Sequence, residues 1–341
     1  MAIAGGLDVH RRQITFDYID SDSDSDEVRR GKIVPATREG LRVWLSELEG
    51  QEGAFALEGC TGWRYVTEEL GRAGFEPHVA EPADTSALRG PKRRAKTDRA
   101  DARHLRELLV AGGVPESWVP PALVQETRTT VRLHKALVDE RSAWQFRIHA
   151  VLFHQGAPEQ KALLTEDGRA RLKHAELSGA ARQAVEIALR HIGSVNEEID
   201  LLRSELVPFS RRQPGCRALQ SQYGVGPLNA VAIWAELGDC QRFSSSADAV
   251  RHTGLDITVH SSDTKRCRGR LARQGRSVLR RALFEAAKNA SWRTSPDHDY
   301  HAQVKDRLGG RRAALAVARK IARRSYHILR NLGDEAFAAT D

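Results

Sequence analysis

The chain has 341 residues, with 53 Lys plus Arg against 45 Asp plus Glu, a formal net charge of +8 and a sequence pI near 9.5. That length allows two or more hydrophobic cores, and the basic balance favours a polyanionic partner. No window approaches 18 uninterrupted apolar residues and no charged stretch precedes a short apolar one at the start, so neither a membrane span nor a secretory leader is expected and the protein is expected to be soluble and cytoplasmic. Residues 3–9, 13–19 and 29–34 read as three strands, the first two joined by a short turn at 10–12 and the next two by an acidic loop that carries Asp20, Asp22, Asp24, Asp26 and Glu27. Thr37 then opens a helix whose apolar stripe is Leu41, Val43, Trp44, Leu45 and Leu48, and Gly50 ends it. A strand at 54–58, a turn at 59–62, a helix reaching Gly71 and a short strand at 77–80 follow. After a basic loop at 89–96, a helix starts near Thr97 or Asp98 and runs through Leu105, Leu108, Leu109 and Val110 to Gly112. The order βββαβαβα predicts an α/β domain over residues 1–113.

Residues 115–121, with Trp118 between prolines, break this pattern and predict a linker. Two long helical stretches, 123–153 and 175–209, follow, and in the second Ile187, Leu189, Ile192, Val195, Ile199, Leu202 and Leu206 recur three or four apart. Such a seam predicts a coiled coil, either as a hairpin within the chain or as an oligomer interface. Residues 114–212 are therefore assigned to the linker and long helices, and 213–341 to a mostly helical, cationic domain. The cysteines, Cys60, Cys216, Cys240 and Cys267, lack paired spacing, which argues against a zinc site or a disulfide framework and for reduced thiols.

Asp8 closes one apolar run, Glu58 closes another, and Asp98 and Asp101 stand three apart at a helix start. Carboxylates at strand ends face the crevice where open α/β sheets bind ligands, and an i, i+3 pair shares a helix face. Hard cations such as Mg²⁺ take oxygen ligands, so convergence of the four predicts a metal-dependent site that cuts nucleic acid. Taken singly, each is better read as a helix cap or an ordinary strand-end residue; the case rests on the four together. Lys92, Arg93, Arg94 and Lys96 concentrate positive charge just before Asp98, where an acidic pocket needs cations to admit phosphate. Gly224 and Gly226, in Tyr-Gly-Val-Gly-Pro, predict a phosphate-facing turn at a helix N-terminus or, equally, an ordinary turn between packed helices. Ser261 and Ser262 lead into the densest positive run, with Lys265, Arg266, Arg268, Arg270 and Arg273. These cations suit phosphate contacts, and the hydroxyls are either turn residues or a nucleophile among guanidinium groups. Residues 311–332 form an amphipathic basic helix.

Taken together, Gly6-Leu-Asp8-Val-His10, Leu57-Glu58-Gly-Cys-Thr-Gly62, Lys96-Thr-Asp98-Arg-Ala-Asp101 and the C-terminal Gly254-Leu…Ser262…Gly269-Arg…Arg273-Gln-Gly275…Leu279-Arg280 resemble the DEDD transposases of insertion sequences, the recombinases described as guided by a bridge RNA. The resemblance spans nearly the whole chain. It implies an N-terminal RuvC-like domain of ribonuclease H fold, in which Asp8, Glu58, Asp98 and Asp101 hold two Mg²⁺ ions, with Mn²⁺ as the alternative. It further implies coiled-coil helices and a helical C-terminal transposase domain with a helix-hairpin-helix-like turn and a serine nucleophile at the place of Ser262. The family's Ser-Gly is Ser262-Asp263 here, which leaves Ser261 as a competitor. The partners implied are double-stranded DNA at element ends and target, an element-encoded guide RNA, and further copies of the chain in a homodimer to homotetramer, the acidic site of one subunit meeting the serine of another. The expected location is cytoplasmic and nucleoid-associated. Two rival readings remain: a metal-only, RuvC-like endonuclease acting on branched DNA, and a basic architectural protein whose acidic cluster is structural.

Overall fold

A computed structural model describes residues 3–20, 27–89, 97–258, 261–262, 265–266, 270–272 and 275–338. The chain forms two compact units, Met1–Val119 and Pro120–Asp341.

The first unit runs β1 (Ile3–Val9), β2 (Ile14–Asp20), β3 (Glu27–Ile33), α1 (Arg38–Ser46), β4 (Gly53–Glu58), α2 (Trp63–Arg72), β5 (Glu76–Ala80), α3 (Pro82–Leu88) and α4 (Asp98–Val110). The short helix α3 has no counterpart in the sequence reading; Pro82 starts it, with φ already set for a first helical position. The five strands make one sheet in the order β3-β2-β1-β4-β5. Strands β1, β2 and β3 pair antiparallel, while β4 runs parallel to β1, and β5 to β4. The first and fourth strands are therefore neighbours at the centre of the sheet.

The two faces of the sheet are built differently because side chains alternate along each strand. On one face Ile3, Leu7, Phe55 and Leu57 pack with Leu41, Trp44 and Leu45 of α1 and Val66 and Leu70 of α2. Phe55 meets Trp44 and Phe75 edge-on there, at centroid distances of 5.6 and 5.3 Å. The opposite face carries small residues, Ala4 and Gly6 on β1 and Ala54 and Ala56 on β4. Against it lies α4, whose Leu105 packs with Ala56 and Ala80. A Cβ on Gly6 would fall 2.0 Å from the Ala102 carbonyl oxygen and 2.6 Å from the Arg106 nitrogen, so only glycine lets helix and strand approach this closely. Asp17, opposite Gly6 in the β1–β2 ladder, is buried and holds α4 through Arg106 at 2.5 Å and β3 through Arg30 at 2.8 Å. Residues 115–117 add to the free edge of β5: the Ser117 nitrogen donates to the Val79 oxygen at 2.6 Å.

The second unit begins with α5 (Ala122–His154), α6 (Glu166–His174) and α7 (Gly179–Arg212). The helices α5 and α7, of 33 and 34 residues, pack on each other. Their shared core at one end comprises Ile148, Leu152, Val185, Ala188 and Ile192, closed by Leu172 of α6. Then come α8 (Pro214–Leu219), α9 (Pro227–Leu237), α10 (Ser246–Thr253), the two-residue strands β6 (Ile257–Thr258), β7 (Ser261–Ser262), β8 (Lys265–Arg266) and β9 (Arg270–Leu271), and the helices α11 (Ser277–Lys288), α12 (His298–Leu308) and α13 (Gly310–Leu332). The central helix is α9, buried from Ala230 to Leu237. Its C-terminal carbonyls need donors, and arginines supply them: Arg128 donates to Ala235 at 2.6 Å and Arg242 to Leu237 at 2.9 Å. Arg132 grips the buried Glu236 carboxylate with two bonds of 2.6 and 2.8 Å. Burial pushes the neighbouring His252 down to about 4, with the charge of Arg242 adding to the effect, so the ring stays neutral within this cationic cluster.

The closeness of β1 and α4 yields a paired prediction. Gly6→Ala lowers the unfolding free energy by at least about 1–3 kcal/mol, the range for forcing extra atoms into a packed interior. Gly71→Ala, at an exposed helical site with nothing within 4 Å of the added atom, is neutral or stabilising by about 0.4–1 kcal/mol. Urea unfolding followed by tryptophan fluorescence compares the two; equal midpoints would show that the strand–helix contact is not tight.

Candidate active site

Asp8 and Glu58 stand one residue beyond Leu7 and Leu57, which are register partners on the neighbouring parallel strands β1 and β4. Alternation puts both carboxylates on the small-residue face, towards α4. From the other side α4 presents Asp98 and Asp101 in its first turn. Thr97 fixes where that turn begins, its hydroxyl oxygen accepting from the Ala100 nitrogen at 3.2 Å. The positive end of the helix also favours carboxylates placed there.

The tetrad divides into two halves. In one, His10 Nε2 lies 3.1 Å from Asp8 Oδ2 and 3.8 Å from Asp98 Oδ1, and the donor atoms of Asp8, His10 and Asp98 all lie within 4.8 Å of one another. Gln13 Nε2 donates to Asp98 Oδ2 at 2.8 Å, while its own oxygen accepts from Lys32 Nζ at 3.0 Å. In the other half, Arg89 pairs with Asp101 and sits 3.6 Å from Glu58 Oε1. Burial pushes the Asp8 carboxyl up to about 6; the imidazole of His10 pulls it back, and Asp101 and Asp98 raise it by like-charge repulsion. Asp17 makes the contrast, a more deeply buried carboxylate already balanced by Arg30, Arg106 and, at 3.9 Å, Arg103. Two carboxylates and an imidazole in one cluster form a donor set fit for a divalent ion.

In the second unit the serine strand belongs to a nested pairing. Ile257 pairs with Leu271 and Thr258 with Arg270; further in, Ser261 pairs with Arg266 and Ser262 with Lys265. The chain therefore doubles back between Ser262 and Lys265, where the sequence reading had a loop without strands. Both stems are anchored: Arg319 Nε donates to the Leu255 oxygen at 2.7 Å, and Arg280 donates to the oxygens of Thr253 and Gly275. A Cβ on Gly275 would lie 2.1 Å from the His252 oxygen, so the returning stem needs glycine. At the other glycine motif, Gly224 has φ +84° and abuts the Ala286 oxygen, which accounts for it by packing. Gly226 has open space around it and starts α9 without a side-chain cap. Lys92, Arg93, Arg94, Lys96, Arg268 and Arg273 lie outside the described residues.

Three participants were not assigned these contacts from sequence. His10 was visible two residues past Asp8, where a turn residue shares the strand-end neighbourhood. Gln13 reaches Asp98 across 85 positions, which no local pattern encodes. Arg89 was grouped with phosphate-neutralising cations, whereas it pairs with two members of the tetrad.

Comparison with known proteins places these features in context. Residues 5–154 match a model of the DEDD transposase domain of IS110 type, and residues 216–302 match one described as transposase, IS116/IS110/IS902 family. The chain is 24% identical over 309 residues to the transposase for insertion sequence element IS1111A of Coxiella burnetii, covering 85% of this chain and 81% of that protein. It is 27% identical to a protein of Sinorhizobium fredii named as transposase y4qE, covering 83% and 70%, and 22% identical to one of Pseudomonas aeruginosa named as a family 20 transposase, covering 80% and 82%.

The raised Asp8 carboxyl makes a prediction for stability. Its folded value near 6 exceeds the ordinary 3.8, so the folded state holds the extra proton between those limits. Stability falls as pH rises through that window and stays lower above it. In chelator, Asp8→Asn is therefore more stable than wild type at pH 7.5 by on the order of 1 kcal/mol, solvent screening allowed for, and gains nothing near pH 4. Urea midpoints at the two pH values measure this; an equal gain at both would remove the titration from the account.

Proposed function

The chain belongs to the IS110/IS116/IS902 family of insertion-sequence transposases, and from that premise we propose that Asp8, Glu58, Asp98 and Asp101 support metal-assisted DNA strand cleavage while Ser262 takes up the cut strand. The observation that carries the reading is the meeting of Asp8 with Asp98 across a strand and a helix, with Glu58 on the adjoining strand end. The mixed five-stranded sheet, antiparallel on one side and parallel on the other, supports a RuvC-like assignment for residues 1–113. The packed helices α5 and α7 support a coiled-coil role for 114–212, and 213–341 carries the serine chemistry.

The four carboxylates would hold Mg²⁺, or Mn²⁺, whose chemistry is to neutralise the phosphodiester and stabilise its attacking and leaving oxygens. The protein's own part is nucleophilic. The Ser262 hydroxyl oxygen bonds to phosphorus as the bond from phosphorus to one strand oxygen breaks, its proton leaving to a base and the departing oxygen taking one up. Lys265 is the register partner of Ser262 in the ladder. With Arg266, Arg268, Arg270 and Arg273 it supplies positive charge to the phosphate, as do Lys92, Arg93, Arg94 and Lys96 beside the acidic site. Gly226 and Gly224 offer backbone donors at the start of α9. Double-stranded DNA is the substrate, and the family resemblance supports an element-encoded RNA that delegates specificity to base pairing. Phe146 and Phe153, seven residues apart on α5 and 72% and 87% exposed, support assembly as a homodimer or homotetramer. Among the described residues no helix is long and apolar enough to cross a membrane.

Ser262→Ala is expected to abolish covalent protein–DNA adducts on a denaturing gel and to lower recombination by about three orders of magnitude or more. Ser261→Ala leaves both intact. Asp98→Asn stops strand cleavage with an unchanged circular dichroism spectrum. Cleavage that survives Ser262→Ala but not Asp98→Asn would replace this mechanism with a metal-only endonuclease acting on branched DNA.

A further inference from the structure

The four acidic residues do not share one environment. His10 follows β1 on a tight turn closed by a 3.0 Å bond from its nitrogen to the Gln13 oxygen. That turn sets two side chains around Asp98: the imidazole 3.8 Å from one carboxylate oxygen and the Gln13 amide 2.8 Å from the other. Asp98 is thereby oriented, one oxygen engaged and the other turned to the space it shares with Asp8 and His10. Three donor atoms from β1, its turn and α4 lie within a single ion's reach of one another. The other pair is already served. Arg89, the residue that ends α3, lies between Asp101 and Glu58. Its guanidinium keeps its charge at any working pH and is planar, so it bridges two carboxylates as a compact metal ion would.

We propose that the tetrad works as two unlike halves: Asp8, Asp98 and His10 hold a single divalent ion through mixed oxygen and nitrogen donors, and Arg89 is the fixed second cation, between Glu58 and Asp101. The inference rests on the metal-assisted reading above and narrows it in two ways. One ion per chain binds tightly, rather than two. The His10 nitrogen also biases that ion: an imidazole is a softer donor than a carboxylate, and its presence favours a first-row transition ion over Mg²⁺, which prefers oxygen and gives up its water reluctantly. Mn²⁺ accepts both donor types and is the natural probe. A carboxylate set without His10 would discriminate less. Arg89, for its part, lowers the repulsion between Glu58 and Asp101 without any ion, so that half of the site is kept assembled before DNA arrives.

The test uses the purified full-length chain, treated with chelator, desalted and titrated with Mn²⁺ and, separately, Mg²⁺ by calorimetry. Electron paramagnetic resonance of the Mn²⁺ complex provides the second readout. Wild type is expected to bind one Mn²⁺ per chain, with nitrogen-14 modulation in pulsed spectra that reports imidazole ligation. His10→Gln loses that modulation and lowers the preference for Mn²⁺ over Mg²⁺ by about tenfold or more, the scale on which even residues supporting a ligand act. Because His10 lies on an exposed turn, folding is not at stake in this variant. Arg89→Gln raises the stoichiometry towards two. Two comparable ions in wild type, or nitrogen modulation that survives His10→Gln, would overturn the division while leaving metal-assisted cleavage in place. Absence of binding by either ion would overturn both.

Discussion

The site depends on the distance between β1 and α4, and that distance is set by the missing side chain of Gly6. A sheet usually holds a helix off by the bulk of its own residues. Here one face carries Ile3, Leu7, Phe55 and Leu57 and keeps α1 and α2 at ordinary spacing, while the other carries Ala4, Gly6, Ala54 and Ala56. The asymmetry draws α4 inward, its Ala102 oxygen lying where a methyl group of residue 6 would stand. A glycine inside a strand weakens it by roughly 0.5–1 kcal/mol relative to alanine, and Gly5-Gly6 doubles the exposure to that cost. The compensation is geometric: carboxylates from a strand end and a helix start reach a common point.

Bringing anions together is unfavourable, and the ways in which the fold relieves it distinguish structural from functional acids. Asp17 is the most buried carboxylate on that face and is matched by arginines from β3 and α4, so it fastens the helix and has no charge to spare. Asp8 is paired with His10, and burial together with Asp98 and Asp101 leaves its charged form disfavoured. The helix terminus at Thr97 offsets part of the repulsion between the α4 aspartates. A carboxylate cluster with every charge answered would have little affinity left for a cation, and the raised Asp8 carboxyl marks a charge that His10 answers only in part.

Much of this was legible in the sequence. Apolar runs ending in Asp8 and Glu58, and Thr97 ahead of two acids three apart, are local signals, and the structure keeps each element within a few residues of where its pattern placed it. The losses have physical reasons. Helix α3 is seven residues long, shorter than a periodic signal needs. Strands β6 to β9 are two residues each, too short for an alternating pattern to show. The Gln13–Asp98 and Arg89–Glu58 contacts are tertiary, created only once β1, β4 and α4 have assembled. Gly224 was readable as a turn glycine, but its packing reason, the Ala286 oxygen, lies sixty residues on.

The two units solve opposite electrostatic problems with the same side chain. In the first, Arg89, Arg106 and Arg30 answer the carboxylates of Asp101 and Asp17 one by one. In the second, Arg128 and Arg242 cap the end of a buried helix, Arg132 fills the need of Glu236, and Arg280 and Arg319 tie down the stems of the serine hairpin through main-chain oxygens. Some of these guanidinium groups are held by main-chain oxygens, which leave their charge unanswered, and others by a carboxylate, which cancels it. The net charge of +8 already contains that cancellation, so what the fold decides is where the positive charge stands. Affinity for a polyanion scales with the phosphates neutralised, and a guanidinium fixed by a main-chain oxygen still adds to it.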